Sequence, residues 1–335
     1  MHNALQGGEI NLSDRKIQIY EEVIRANVLR NHLSHDFVIV HDPQPVAMVE
    51  HYTKRGPWIW RCHVDLSRPN EELWAYLRRY VEAYDAAVVS LPDYLRKLRT
   101  PQVVFPPAID PFSIANRDFT EEEIAERLQH YDIPTDLPLV VQVSRFDRWK
   151  DPEGVIEAFK IARQQVDATL VLLGNVATDD PQGEEVYRSL LDEREEHIVI
   201  ISKEDTALVN ALQSRAAVVL QKSIREGFGL TVAEAMWKET PVIGGDVGGI
   251  RLQIEDGVNG FLVSSVEEAV ERIVRLIRDP DLRAEMGRKA RKFVQERFLL
   301  ITLLERYLDL LNGFETIYRL TGGGPGIGEQ ARDEL

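Results

Sequence analysis

The chain has 335 residues, room for two domains at about 100–200 residues each. Its net charge of −15 repels polyanions, which argues against nucleic acid as a partner while allowing a local basic pocket. The single cysteine, Cys62, excludes an intrachain disulfide and a cysteine-based metal cluster, and no apolar run is long enough to span a bilayer. The expectation is a reduced, cytoplasmic, soluble protein without a signal peptide.

The opening, MHNALQGGEINLS, is polar and does not read as the first strand of a domain. Residues 14–34 have helical periodicity, and 36–42 (DFVIVHD) read as a strand ending in two polar side chains. Apolar residues suited to a helix follow Pro43 and Pro45. Residues 57–63 (PWIWRCH) form a second predicted strand, and Ser67 is the expected cap of a helix from about Pro69 to Tyr84. Strands are predicted at 85–91 and 101–106. The segment 106–113, with three prolines and no period, reads as an interdomain linker. A helix near 120–131 is followed by an α/β series that starts with a strand at 136–144. Helices are predicted at 152–166, 183–196, 205–215, 248–255 and 266–278, alternating with strands at 168–174, 197–202, 216–221, 240–244 and 260–263. Such alternation predicts a parallel sheet covered on both faces, with ligands beyond the carboxyl ends of its strands. Amphipathic helices at 281–297 and 300–312 close the chain before a Gly-rich tail, 321–335, predicted to be disordered.

The stretch 223–237, SIREGFGLTVAEAMW, carries the chemistry. It joins a β-branched strand to an apolar helix through Gly227 and Gly229, with Leu230, Ala233, Met236 and Trp237 expected on one helical face. A helix N-terminus at a sheet edge offers free amides to an anion. Glu226 and Glu234 frame that position, which suggests a ligand with both phosphate and hydroxyls, a nucleotide sugar. The plainer alternative is a strand–helix turn with a capping acid and an exposed glutamate. In 143–152, VSRFDRWKDP, Arg145 and Lys150 follow a strand and suit a diphosphate clamp, whereas Arg148 reads as solvated. His63 ends the strand of WIWRCH and Asp42 precedes Pro43; alone, each is as well explained by a structural role. The glycines of 244–250, GGDVGGI, suit either amides near a sugar or close packing, and 256–263, DGVNGFLV, reads as a tight turn into the last strand. Asp179-Asp180 reads as a helix cap rather than a metal site.

EGFGLTVAE resembles the E-x7-E motif of retaining GT-B glycosyltransferases, and Arg145 and Lys150 resemble that family's Arg-x4-Lys pair. The resemblance implies that Glu226 contacts the donor sugar and that the backbone of Gly227, Phe228, Gly229, Leu230 and Thr231 holds the distal phosphate. It implies further that Glu234 binds the ribose, and that His63, with Asp42 of a His41-Asp42 pair, meets the donor sugar and the acceptor. HNALQG, VHDPQP, WIWRCHVDLSRPN and the two motif stretches together are similar to the trehalose glycosyltransferring synthases, over about residues 2 to 312.

The implied fold is α/β, two Rossmann-like domains facing across a cleft: 1–108 on the acceptor side and 109–300 for the nucleotide sugar. A helix at 301–320 would pack back toward the first. Family members carry roughly another βαβ stretch before HNALQG, so the first domain is expected to be truncated at its N-terminus. The implied activity is reversible, retaining transfer of glucose from UDP-glucose or ADP-glucose to glucose, giving trehalose. No essential cofactor and no metal are expected. The implied partners are a sugar nucleotide and glucose or trehalose, without nucleic acid or membrane; a homodimer is one option for the assembly. Three alternatives stand beside it: a retaining trehalose phosphorylase, a nucleotide-binding protein without transferase activity, and a sugar-nucleotide epimerase. The region Ser202–Thr206 is the expected neighbour of the base, whose identity the sequence leaves open.

Overall fold

A computed structural model describes residues 1–175 and 181–320, so Asp179, Asp180 and the tail 321–335 lie outside the described residues. The chain divides into two compact units: Met1–Pro106 with the segment from Leu303, and Pro107–Thr302.

The first unit opens with helices α1 (His2–Leu5) and α2 (Asp14–Arg30). Four short strands follow: β1 (Val38–His41), β2 (Trp58–Arg61), β3 (Ala86–Val89) and β4 (Gln102–Val104). They pair in parallel in chain order, β1-β2-β3-β4. Trp58–Arg61 and Ala86–Val89 are buried throughout, as β-branched and aromatic runs are when both faces of a sheet are covered. The apolar residues after Pro45 form only a 3-10 turn, Val46–Glu50. Helix α3 (Glu71–Val81) buries Leu73, Trp74, Leu77, Tyr80 and Val81. Its cap is Asn70, not Ser67: the Asn70 carboxamide accepts from the Leu73 amide at 3.1 Å. The Ser67 amide instead donates to Asp65, so the turn 65–70 spends that serine before the helix begins. Along the C-terminal helix, Leu303, Tyr307, Leu310, Leu311 and Phe314 pack on Ile59, Val88 and Phe105.

The second unit starts with α4 (Glu121–His130), closed by a reciprocal Thr120–Glu123 capping box. Its strands are β5 (Leu139–Val143), β6 (Thr169–Gly174), β7 (Ile198–Ser202), β8 (Val218–Gln221), β9 (Val242–Gly245) and β10 (Phe261–Val263). The helices between and after them are α5 (Pro152–Arg163), α6 (Pro181–Leu191), α7 (Thr206–Arg215), α8 (Leu230–Trp237), α9 (Ile250–Gln253), α10 (Val266–Arg278), α11 (Pro280–Arg297) and α12 (Leu300–Leu320). The parallel sheet runs β10-β9-β8-β5-β6-β7. From β5 the chain steps one way to β6 and β7, then returns to lay β8 on the other side of β5. The strand order therefore reverses between β5 and β8, and their carboxyl ends diverge into a crevice.

The segment read as a linker is tightly held. Ile109 bridges Leu299, its amide donating to the Phe298 carbonyl at 2.8 Å, and just beyond the segment Asn210 of α7 donates to the Ile114 and Arg117 carbonyls, both at 2.9 Å. Helix α8 also departs from expectation: Val232, Ala233, Ala235 and Met236 are buried, whereas Leu230 is exposed, so the helix is apolar on more than one side. The turn 256–260 is tight as expected, with Gly257 at φ +74° and its amide on the Gly260 carbonyl.

Removing the Asn70 acceptor tests the helix boundary. Asn70→Ala is expected to cost about 1 kcal/mol, seen as an earlier midpoint in chemical denaturation, while Asn70→Asp retains most of it.

Candidate active site

The β5/β8 crevice gathers the sequence-predicted donor residues of the second unit. Beyond β5, Asp147 accepts from the Trp149 amide and folds 148–150 into a 3-10 turn that aims Lys150 back toward the sheet. Beyond β8, residues 222–229 form the loop that carries Glu226. The two loops meet side chain to side chain, Lys150 Nζ lying 2.5 Å from Glu226 Oε2. Glu226 is inward-facing, its side chain 8% exposed, and the same oxygen accepts from Ser223 Oγ at 3.1 Å and Gln221 Nε2 at 3.4 Å. A carboxylate taken out of water needs such partners. Arg145 remains mostly exposed, 3.4 Å from Asp147, and Arg148 pairs with Glu185 on the surface. A second pair, Lys222 with Asp151, joins the same two loops, and Asp151 also accepts from the Gly154 amide at the start of α5.

The loop before α8 is fixed from outside. Gly229 adopts φ +81°, and no side chain caps the first turn of α8. The glycines of GGDVGGI serve close packing here. A Cβ on Gly248 would stand 1.8 Å from the Glu226 carbonyl oxygen, and one on Gly249 2.4 Å from Phe228 Cα. The Gly249 amide donates to the Gly227 carbonyl at 2.9 Å. Gln253, fully buried, donates to the Phe228 carbonyl at 2.6 Å. The Phe228 ring turns away and packs edge-on against Phe298. Thr231 Oγ1 donates to Gln221 Oε1, which ties α8 to the end of β8. Gln221, Ser223 and Gln253 were not singled out from the sequence; the available signal was a polar side chain closing the apolar run AAVVLQ.

Glu234 lies just over one turn along α8. Burial pushes its carboxyl pKa up, against the nearby Lys238 charge and a Gln213 hydrogen bond. Lys238, one turn further on, is pulled down from 10.5 to about 8, chiefly by burial and with Arg291 acting in the same sense. Its ammonium donates to the Glu234 carbonyl at 3.1 Å and to Asn116 Oδ1 at 3.2 Å. The Trp237 indole donates to the Asn116 carbonyl, so the 110–118 segment grips the C-terminal end of α8.

In the first unit, His41, Asp42 and His63 come together at the carboxyl ends of β1 and β2. Asp42 takes a left-handed conformation, φ +69°, and its carboxylate accepts from the His63 amide at 3.0 Å. His41 Nδ1 lies 3.0 Å from His63 Nε2. Partial burial, the neighbouring Arg61 charge and His41 lower the His63 pKa, against Asp42. Among the described residues, no group of three or more His, Cys, Asp or Glu is arranged to hold a metal ion, and no helix is long and apolar enough to cross a membrane.

Two Rossmann-like units, with the E-x7-E glutamates and the Arg145/Lys150 turn at the switch point of the second, define a glycosyltransferase of the GT-B fold. Residues 1–96 match the family model "Trehalose synthase, N-terminal domain", and 123–293 match "Glycosyl transferases group 1". A trehalose synthase of Pyrococcus horikoshii is 44% identical over 321 residues, covering 93% of this chain and 77% of that protein. One from Rubrobacter xylanophilus is 39% identical over 323 residues, covering 92% and 77%. The chain belongs to the trehalose synthase family. Its fold is similar to that of a sucrose-phosphate synthase from Thermosynechococcus elongatus, with a TM-score of 0.73 at 21% identity over 92% of this chain and 82% of that one.

The Lys238 shift has a measurable consequence. Between pH 8 and 10.5 the unfolded chain keeps this proton and the folded chain releases it, so stability rises with pH across that window. The stability difference between wild type and Lys238→Met is expected to be flat below pH 8 and to grow in favour of wild type above it. Denaturation midpoints at stepped pH check this.

Proposed function

We propose that this chain reversibly transfers the glucosyl group of a nucleoside diphosphate glucose, UDP-glucose or ADP-glucose, to free glucose, forming trehalose with retention. The observation that carries the reading is the Lys150–Glu226 pair at the β5/β8 crevice, beside the uncapped start of α8. A cation and helix amides suit a diphosphate, and an adjoining carboxylate suits sugar hydroxyls. Family membership supports the same substrates.

In this reading Arg145, Lys150 and the backbone of 227–231 bind the diphosphate, Glu234 accepts from the ribose hydroxyls, and Glu226 accepts from hydroxyls of the transferred glucose. His63 and Asp42 of the first unit address the sugar and the acceptor. The bond from C1 to the diphosphate oxygen breaks, and a bond from C1 to the acceptor oxygen forms on the same face. The acceptor proton passes to the departing phosphate oxygen, and the nucleoside diphosphate leaves. Catalysis is then positioning together with stabilisation of the leaving charge.

Trehalose cleavage with UDP, ADP or inorganic phosphate as sole co-substrate tests this. Release of nucleotide-glucose and glucose is expected with a nucleoside diphosphate. Turnover with phosphate alone would overturn the reading in favour of a phosphorylase, and nucleotide binding without turnover would leave a binding protein. Glu226→Gln is expected to lower kcat/KM by about tenfold or more, the worth of one charge-assisted hydrogen bond of roughly 1.5–3 kcal/mol. Full activity in that variant would remove Glu226 from the sugar site.

A further inference from the structure

We propose that His41 is a positioning residue that fixes the tautomer and ring orientation of His63. The proposal rests on the reading of His63 as the imidazole that meets the sugar. Parallel pairing sets His41 opposite Arg61, and the chain then runs two residues past β2 to His63. Both imidazoles therefore stand at one end of the sheet. Their rings are nearly parallel, 9° apart, with centroids at 5.3 Å and His41 Nδ1 at 3.0 Å from His63 Nε2.

Two ring nitrogens at that distance need one N–H and one lone pair between them; two N–H groups would repel. The charges around His63 favour its neutral form. Arg61 lies beneath, 2% exposed, its Nη2 on Ser90 Oγ and its Nη1 with no hydrogen-bond partner among the described residues. That guanidinium stays charged and opposes a further proton on His63. Asp42 is the carboxylate that acts the other way, and burial keeps the nearby Cys62 thiol protonated, its pKa pushed up to about 12. The backbone at His63 is already fixed. The Asp42 amide donates to the Arg61 carbonyl at 2.7 Å, and the Asp42 carboxylate takes the His63 amide. Ring rotation and tautomer remain: the contact with His41 fixes the ring, and the one proton shared between the two nitrogens ties the His63 tautomer to that of His41. His63 Nε2 is thereby engaged, and Nδ1 is the nitrogen left to face a substrate.

Long-range proton–nitrogen spectra of the imidazoles test the pair without any turnover, with His63 assigned by comparison with His63→Asn. One His63 tautomer is expected in the wild type and a mixture in His41→Phe. His41→Asn, whose amide can stand where Nδ1 stands, is expected to restore one tautomer. In the trehalose assay, His41→Phe is expected to lose about tenfold or more in kcat, part of what a positioned acid–base group supplies. Donor KM should hold, and His41→Asn should recover most of the rate. An unchanged His63 spectrum in His41→Phe overturns the proposal, with or without a loss of rate. Absence of trehalose turnover in the wild type would overturn the functional reading instead, while the spectra still decide the pair.

Discussion

Lys150 and Glu226 stand on loops that leave neighbouring strands, β5 and β8, whose following segments run away from each other. The reversal of strand order opens the crevice, and the ion pair closes its floor. Each charge alone would be costly so far from water, and removing either leaves the other uncompensated. Ser223 and Gln221 then fix which Glu226 oxygen faces the lysine. The rest of the donor-side arrangement depends on this join: the 3-10 turn that carries Lys150, the loop before α8, and the glycines of 244–250 that let a second loop lie against it.

Much of this was legible in the chain because it is written in periodicity. Buried parallel strands announce themselves as apolar runs, and the helices between them as amphipathic stretches. The E-x7-E glutamates and the Arg145/Lys150 turn stood out because each follows an apolar strand run and because together they resemble a known motif pair. Less legible were contacts that depend on which loop lies over which. Nothing in GGDVGGI says that Gly248 and Gly249 face the backbone of residues 226–228 rather than a ligand; only the fold brings them within contact. Ser67 was the expected cap, but its amide is taken by an aspartate two residues before it and Asn70 caps the helix instead. The proline-rich 106–113 stretch lacks periodicity, yet Ile109 is bound on both sides, its amide donating to the Phe298 carbonyl and its carbonyl accepting from the Leu300 amide, and the residues just after it are held by Asn210 and Trp237 from elements distant in sequence.

The first unit raises a different physical problem. Arg61 sits inside a sheet and forms no ion pair among the described residues, an arrangement that costs desolvation. Its cost falls on the strand end where His41, Asp42 and His63 meet, and a positive charge held there acts on the protonation of His63. Burial and catalytic tuning are, at this point of the fold, the same interaction.

The supports of α8 are of another kind. Gln253 holds the backbone ahead of its first turn, Asn116 receives the Trp237 indole at its last, and Gln221 anchors Thr231 between them. Each of these supports is an uncharged amide. Mobile ions screen interactions between charges and leave such hydrogen bonds nearly untouched. These three hydrogen bonds are therefore little affected by ionic strength, while the exposed Arg145 nearby is screened. Added salt weakens the long-range attraction that draws an anion toward the crevice without disturbing the frame that receives it. As salt rises, the rate of capture changes and the geometry of the captured state stays the same.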